Sequence, residues 1–168
     1  ITISDKAGVV SNGIEVNSGW VNQRMATEDD KLTVKLSNPH VFMCNDILGD
    51  EEMEMIGGLM ENICINKNEP LVIIAPSFST SFKAFFENNL QRNKHLPVLA
   101  IELDYSPYNK RCIFEDLALI LNCSIYDKYG QTEKDTYSIN RLGSCSSVMG
   151  NDSHTIFIEG EGITKNKD

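Results

Sequence analysis

The first third of the chain carries hydrophobic and polar residues in short strand-like runs. Residues 32–36 alternate with a period of two, and a turn at residues 37–39 leads to a second apolar run at residues 41–44. Alternation of this kind is typical of a half-buried strand, and Ser, Asn and Pro favour turns. We predict two neighbouring strands here.

A helical pattern begins at Asp50. Apolar residues recur at helical spacing at Met53, Met55, Ile56, Leu59, Met60 and Ile63. Glu51, Glu52 and Glu54 suit a solvated helix start, where negative side chains favour the helix dipole. Gly57 and Gly58 interrupt the stripe at a cost of about 1 kcal/mol each relative to alanine, which indicates close packing or tolerated flexibility.

The middle of the chain alternates between strands and helices. Residues 71–75 and 98–103 are apolar runs of the kind that form strands buried on both faces. Between them a helix carries Phe82, Phe85, Phe86 and Leu90 on one side, and residues 108–121 form a second helix before a short strand at residues 124–126. This order predicts an α/β fold with a mostly parallel sheet flanked by helices and additional β segments.

The remaining elements are short. We predict a polar helix at residues 135–140, a turn at residues 143–147 and a final strand at residues 155–158, with residues 163–168 as a frayed tail or linker. The length of 168 residues suits a single domain spanning residues 1–168. Because the chain begins at Ile1 without a signal-peptide pattern, we expect it to be excised from a longer polypeptide.

Charge and composition exclude some classes of partner. The net charge is −9 and the basic residues are scattered, which disfavours nucleic acid. No apolar run approaches the roughly 20 residues of a membrane-spanning helix. The five cysteines form no CxxC pair, which suits buried thiols in a reducing compartment rather than a disulfide framework.

No catalytic constellation stands out in the sequence. His40, His95 and His154 are widely separated, without metal-ligand spacing, and neither a GxSxG nor a Walker motif occurs. The pattern therefore favours binding, with no catalytic residue and no metal. The step at Gly19 and Trp20 places the only tryptophan beside a glycine that permits unusual backbone angles, and we interpret it as a surface turn that makes a contact.

Several segments share their order and spacing with a known family. They are Gly13, Gly19-Trp20-Val21, Asn38-Pro39, residues 69–75, Lys110-Arg111, residues 116–118 and residues 155–160. On these landmarks the chain resembles the apical domain of a divergent group I chaperonin of the GroEL type, over nearly its whole length.

The resemblance implies a function and a site. The family's apical domain captures non-native polypeptides in a groove between two helices and an extended segment, and it binds a co-chaperonin on the same surface. Matched residue by residue, this places the substrate-binding positions at Trp20, Asn22, Arg24 and Met25 in the extended segment, Ile56, Leu59 and Met60 on the first helix, and Lys83 and Glu87 on the second.

The resemblance also implies properties of the full-length parent. It would be a ring-forming homo-oligomer and an ATPase that uses ATP and Mg²⁺, whereas this fragment would be a monomer with no cofactor and no ATPase activity. Its location would be cytoplasmic, in a bacterium or a virus-infected host, or in an organelle matrix.

Arg24, Lys83 and Glu87 stand where the family has apolar residues, so we expect a more polar groove. Lys83 and Glu87 also have the spacing of an exposed helix pair. Two alternatives stay open. One is a doubly wound small-molecule-binding or enzymatic domain with a pocket near Pro76, Ser77, Asp104 and Tyr105; the other is an interaction scaffold that lost client binding.

Overall fold

The structure is a computed structural model that describes residues 8–10, 13–20, 33–92, 96–103, 105–127, 141–151 and 153–158. Its described strands belong to one nine-stranded sheet. They are β1 Gly8–Val10, β2 Gly13–Trp20, β3 Val34–Ser37, β4 His40–Met43, β5 Leu71–Ala75, β6 Val98–Leu103, β7 Gly143–Ser144, β8 Ser147–Gly150 and β9 His154–Ile158. The predicted polar helix at residues 135–140 and the tail at residues 163–168 lie outside the described residues.

The helices connect the strands of the central part of the sheet along the chain. They are a 3₁₀ turn at Asp50–Glu52, α1 at Met53–Leu59, a π-helix at Met60–Asn66, α2 at Thr80–Arg92 and α3 at Pro107–Ile120. The first three follow one another without a break, as the predicted helix from Asp50 requires. Ser79 caps the N-terminus of α2, because its Oγ accepts a hydrogen bond from the Phe82 amide at 3.1 Å.

The sheet runs in the order β3-β8-β9-β2-β6-β5-β4-β7, and β1 pairs with β2. Pairing is parallel between β4 and β5 and between β5 and β6, and antiparallel in the other described pairs. The α/β fold with flanking helices is confirmed, and its parallel part is confined to these three strands. All of β5 is buried, because a strand at the centre of the sheet has both faces covered.

The prediction that residues 32–36 and 41–44 form neighbouring strands is wrong. β3 pairs with β8, whereas β4 pairs with β5 and β7. The burial of the two strands explains the separation: β3 alternates between buried and exposed, but Val41, Phe42 and Met43 are all buried. A strand that is apolar at successive positions needs cover on both faces, so it joins the parallel centre. Asn38, with φ of 52°, turns the chain between the two positions.

The interpretation of Gly19 and Trp20 as a surface turn is also wrong. Both residues lie in β2, where Gly19 pairs with Glu102 and Trp20 with Ile101. No described glycine has a positive φ. Gly13 is needed for a different reason, since a Cβ there would lie 2.5 Å from the Phe157 carbonyl oxygen across the strand pair.

Two other short segments differ from expectation. Residues 143–147, predicted as a turn, contain β7, which pairs with His40 and Val41. The strand predicted at residues 124–126 is reduced to a single parallel bridge between Cys44 and Tyr126. Both segments lie beside β4, on the side away from β5. At residues 143–147, pairing with that apolar strand outweighs the local preference for a turn.

Asparagines in the left-handed region end two helical segments. Asn122, with φ of 55°, follows α3, and the next amide, of Cys123, donates to the Ala118 carbonyl at 2.8 Å. Asn68, with φ of 54°, follows the π-helix in the same way, and the Glu69 amide donates to Ile63 at 2.9 Å. Asparagine tolerates this conformation, so it stops each helix and returns the chain toward the sheet.

Candidate functional site

The helices α1 and α2 approach each other at a glycine. A Cβ built on Gly57 would lie 3.4 Å from Cζ of Phe85, whereas one built on Gly58 would meet no atom within 4 Å. Gly57 therefore allows close packing of the two helices, and Gly58 faces open space. Phe85 is half-buried and packs against the core from this contact.

The predicted positions on the first helix divide between core and surface. Ile56 is 0% exposed and Met60 is 2% exposed, so both side chains belong to the core. Leu59 is half-buried and packs against that core. Residues four apart lie on one face of a helix, which explains why Ile56 and Met60 point inward together. Of the three, only Leu59 offers substantial apolar surface to solvent.

The predicted positions on α2 are polar and exposed. The ion pair of Lys83 is with Glu102 of β6, at 3.7 Å, and not with Glu87 as the helical spacing predicts. The other oxygen of Glu102 accepts a hydrogen bond from the Phe78 amide at 3.0 Å. Glu102 thus joins both α2 and the loop before it to the sheet, because one of its carboxylate oxygens contacts each of them.

The extended segment begins beside this ion pair. Trp20 is the last residue of β2, and its neighbour Gly19 lies opposite Glu102 in the sheet. Asn22, Arg24 and Met25 lie outside the described residues. The structure therefore brings together the start of the segment and Lys83, through Glu102.

Sequence reasoning did not select two half-buried apolar residues at this site, Met55 and Phe85. Met55 precedes Ile56, and Phe85 precedes Phe86, whose side chain is fully buried. Each lies at the edge of an apolar stripe whose centre faces the core. The available signal was the width of the stripe, which exceeds what one buried face needs.

Glu52 has a structural role at the start of the helical segment. Its side chain is fully buried, and Oε1 accepts a hydrogen bond from the Gly49 amide at 3.0 Å. This bond is half of a capping box, in which the third helical residue reaches back to the residue before the helix. The prediction of a solvated Glu52 is therefore wrong, whereas Glu51 and Glu54 are exposed.

The acidic, histidine and cysteine side chains are the possible metal ligands in the part of the chain that the structure describes. Within it, no group of three or more His, Cys, Asp or Glu side chains could hold a metal ion. All five cysteines are free thiols, and four of them are buried. Burial raises the pKa of Cys64 and of Cys145 to about 12 and that of Cys123 to about 11, so these thiols stay protonated at neutral pH.

A cavity of about 570 Å³ opens at the carboxyl ends of β4 and β5. It is lined by Asn45, Asp46, Pro76, Pro107, Lys110, Arg111, Phe114, Glu115 and Ile125. This is the sheet edge at which the alternative reading expected a pocket, and Pro76 lies in it as expected. Ser77 and Tyr105 do not line it; the Tyr105 hydroxyl instead accepts a hydrogen bond from the Asn17 amide at 2.8 Å. Asp104 lies outside the described residues.

Comparison with known proteins shows that this chain is similar to chaperonins, in sequence to one of them and in fold to another. It is 24% identical over 168 residues to "Chaperonin GroEL 3" of Psychromonas ingrahamii, which covers 96% of this chain and 30% of that protein. No protein-family model matches the chain.

Solved structures agree on the fold. Crystal form II of the chaperonin gp146 from bacteriophage EL 2 (Pseudomonas aeruginosa), determined in the presence of ATP-BeFx, has a TM-score of 0.66 at 11% identity and covers 96% of this chain and 32% of that one. Crystal form I gives the same TM-score at 13% identity, with 94% and 30% covered. The chain therefore spans about a third of the length of the chaperonins it matches. None of the described helices is both long and apolar enough to cross a membrane.

Proposed function

We propose that residues 1–168 form the apical, polypeptide-binding domain of a chaperonin subunit, and that it captures non-native proteins so that the parent can assist their folding. The observation that carries this proposal is half-exposed apolar surface on both helices. Leu59 offers it on α1 and Phe85 on α2, where the Phe85 ring packs beside Gly57 and Gly58 faces open space. We call this surface the helix-pair face and define it by Met55, Gly57, Gly58, Leu59 and Phe85.

The chemistry of this face suits clients of varied sequence. Burial of apolar surface is nondirectional, and a methionine side chain adapts its shape to different partners. Each well-buried client side chain could contribute about 1.5 to 3 kcal/mol before the cost of ordering is subtracted. A single domain would therefore bind weakly, and several copies in a ring would bind one client more tightly.

The predicted substrate-binding residues take different parts in this proposal. Leu59 contacts the client directly, while Ile56 and Met60 hold α1 in place from the core side. Lys83 and Glu87 give the face a polar border on α2, and Trp20 begins the extended segment that the proposal continues through Asn22, Arg24 and Met25. The exposed carboxylates of Glu54 and Glu61 on the first helical segment add to that border.

The proposal extends to the parent protein. By its likeness to chaperonins, the parent would form a homo-oligomeric ring, hydrolyse ATP with Mg²⁺ on another domain, and act in the cytoplasm or an organelle matrix. A co-chaperonin would bind the same helix-pair face. This fragment would be a monomer that hydrolyses no ATP.

The doubly wound small-molecule alternative is favoured by one observation, the cavity at the carboxyl ends of β4 and β5. Parallel α/β sheets commonly bind ligands at that edge. Catalysis needs more than a cavity, because reacting groups must converge on one point. We therefore give the client-binding function priority and treat the cavity as a separate site.

The proposal is tested by suppression of aggregation. A chemically unfolded client would be diluted into buffer with the purified chain, and light scattering would be followed for wild type, Leu59→Glu and Leu119→Glu. Leu119 lies on α3 and is 71% exposed, so the same substitution there adds the same charge away from the helix-pair face. We expect protection by wild type and Leu119→Glu, and weaker protection by Leu59→Glu.

Circular dichroism would verify that both variants keep the native fold. Equal protection by all three proteins would place client binding elsewhere and favour the scaffold alternative for this face. Absence of protection at a large excess of wild-type chain would contradict capture by the single domain.

A further inference from the structure

The cavity at the sheet edge combines an apolar floor with charged walls. Phe114 is 5% exposed and Ile125 is half-buried, and both line the cavity beside Pro76 and Pro107. Its volume of about 570 Å³ lies within the range typical of small-ligand sites. An apolar group of the size of one or two rings would fit over this floor.

One wall of the cavity carries two cations from α3. The Lys110 ammonium group donates a hydrogen bond to the Pro76 carbonyl at 3.2 Å, and no ion pair among the described residues includes it. A carbonyl satisfies one donor of a lysine and leaves its charge without a counterion. Lys110 is half-buried, which makes an anionic partner more favourable there than on an open surface.

The position of these cations in the helix is itself unfavourable. Lys110 and Arg111 follow closely on Pro107, the first residue of α3, and the first turn contains no acidic residue. Cations near a helix N-terminus oppose the helix dipole, which an anion would complement. A bound anion would thus be attracted by two side chains, at a point where no described carboxylate forms an ion pair with the lysine.

The acidic residues of the cavity limit the charge that it accepts. Glu115 contacts Arg111, with Oε1 at 3.5 Å from Nε, and Asp46 accepts a hydrogen bond from the Ile47 amide at 2.7 Å. Both carboxylates line the cavity. They would repel a second negative charge, so the cavity favours a ligand with one.

We propose that this cavity binds a small monocarboxylate with an apolar or aromatic body. The carboxylate lies against Lys110 and Arg111, and the body packs on Phe114 and Ile125. The site is separate from the helix-pair face and would hold whether or not that face binds clients. Its ligand class follows from a lysine that has no ion pair with any described residue, from the apolar floor and from the opposing acids.

The test uses 2-naphthoate as the probe, with 2-naphthamide as a neutral analogue and 1-naphthyl phosphate as a dianion. Each compound would be titrated into the ¹⁵N-labelled 168-residue chain, and amide shifts would give both the location and the Kd. We expect 2-naphthoate to shift amides of residues 45–46 and 110–115 and to bind about tenfold more tightly than 2-naphthamide, because a charge-assisted hydrogen bond is lost in the amide. The phosphate would bind more weakly than the naphthoate.

Two lysine variants test whether the binding of 2-naphthoate depends on Lys110 itself or on the positive charge of the chain in general. Lys110→Gln should weaken 2-naphthoate about tenfold, whereas Lys67→Gln, an exposed lysine at the end of the π-helix, should change the Kd less than about twofold. Glu115→Gln should tighten binding. Equal binding of naphthoate and naphthamide, shifts confined to other parts of the chain, or an unchanged Kd in Lys110→Gln would each overturn the proposal.

Discussion

The two sides of the α1–α2 pair carry similar apolar residues that have different roles. On the inner side, Ile56, Met60, Phe82 and Phe86 are at most 2% exposed and join the core. On the outer side, Leu59 and Phe85 are half-buried, and Gly58 faces open space. The inner residues already have all their apolar contacts within the chain, whereas the outer ones keep apolar surface that only a partner can cover.

Apolar periodicity alone therefore does not show whether a residue belongs to the core or to a binding surface. Leu59 and Met60 are adjacent in sequence and similar in chemistry. They point in different directions from the helix, so one is proposed to bind clients while the other lies in the core. In our proposal, the free energy of folding depends on the inner side and client affinity depends on the outer side. Substitutions on the inner side should therefore mainly reduce stability, and substitutions on the outer side should mainly reduce client affinity.

The largest expected effect is on the stability of the inner side. Ile56→Ala should lower the free energy of unfolding by about 2 to 5 kcal/mol, because it leaves a cavity in a packed core. Leu59→Ala should lower it by less than about 1.5 kcal/mol, since part of that side chain already contacts water. Urea unfolding followed by circular dichroism measures both, and equal losses would remove the distinction between the two sides.

A pH dependence comes from thiols buried in the core. Cys64 lies in the π-helix that follows α1, and burial raises its pKa from 9.0 to about 12. In the unfolded chain the thiol loses its proton near pH 9, whereas in the folded chain it keeps it. The contribution is therefore fully present below about pH 9, and stability falls by roughly 1 kcal/mol per pH unit for this thiol as the pH rises toward 12.

Cys64→Ala should reduce that slope between pH 9 and 11, as measured by urea unfolding at several pH values. Cys123 and Cys145 would supply the slope that remains, because burial also raises their pKa values. Cys112, which is half-buried on α3, serves as the matched control. A slope that Cys64→Ala leaves unchanged would mean that the thiol is not buried from solvent.

The smallest effect is expected at the border of the outer side. Lys83 and Glu102 lie 3.7 Å apart, with side chains that are 44% and 27% exposed, so water screens their attraction. Lys83→Gln should change stability by a few tenths of a kcal/mol up to about 1 kcal/mol, and less at high salt. Thermal unfolding at low and high salt measures this. A loss of several kcal/mol in the free energy of unfolding would show that the Lys83–Glu102 pair stabilises the folded core and is more than a solvated border of the outer side.

An element could be predicted from the sequence when the residues that determine it are close together in the chain. β5, β6, α2 and α3 follow from runs of adjacent residues, and the structure confirms them within a residue or two. The partner of β3, which is β8, and one of the two partners of β4, which is β7, lie more than 100 positions later. No local pattern carries that information, so a short turn between two strands was taken for direct pairing.

The candidate site shows the same limit at finer scale. The two helices were predicted correctly, but Ile56 and Met60, which were assigned to the groove, lie in the core. The π-helix at Met60–Asn66 begins immediately after Leu59. Met60, Ile63 and Cys64 are buried in it, whereas Ile65 is 48% exposed and Leu59, just before it, is half-buried.

Non-native polypeptide should bind at the helix-pair face and not at the cavity. Amide shifts of the ¹⁵N-labelled chain, mapped during titration with a permanently unfolded client such as a reduced and carboxymethylated protein, distinguish the two sites. We predict changes concentrated at residues 53–66 and 80–90, which Leu59→Glu weakens and Leu119→Glu leaves intact. Changes concentrated at residues 45–46, 76 and 107–115, and insensitive to Leu59→Glu, would contradict the account.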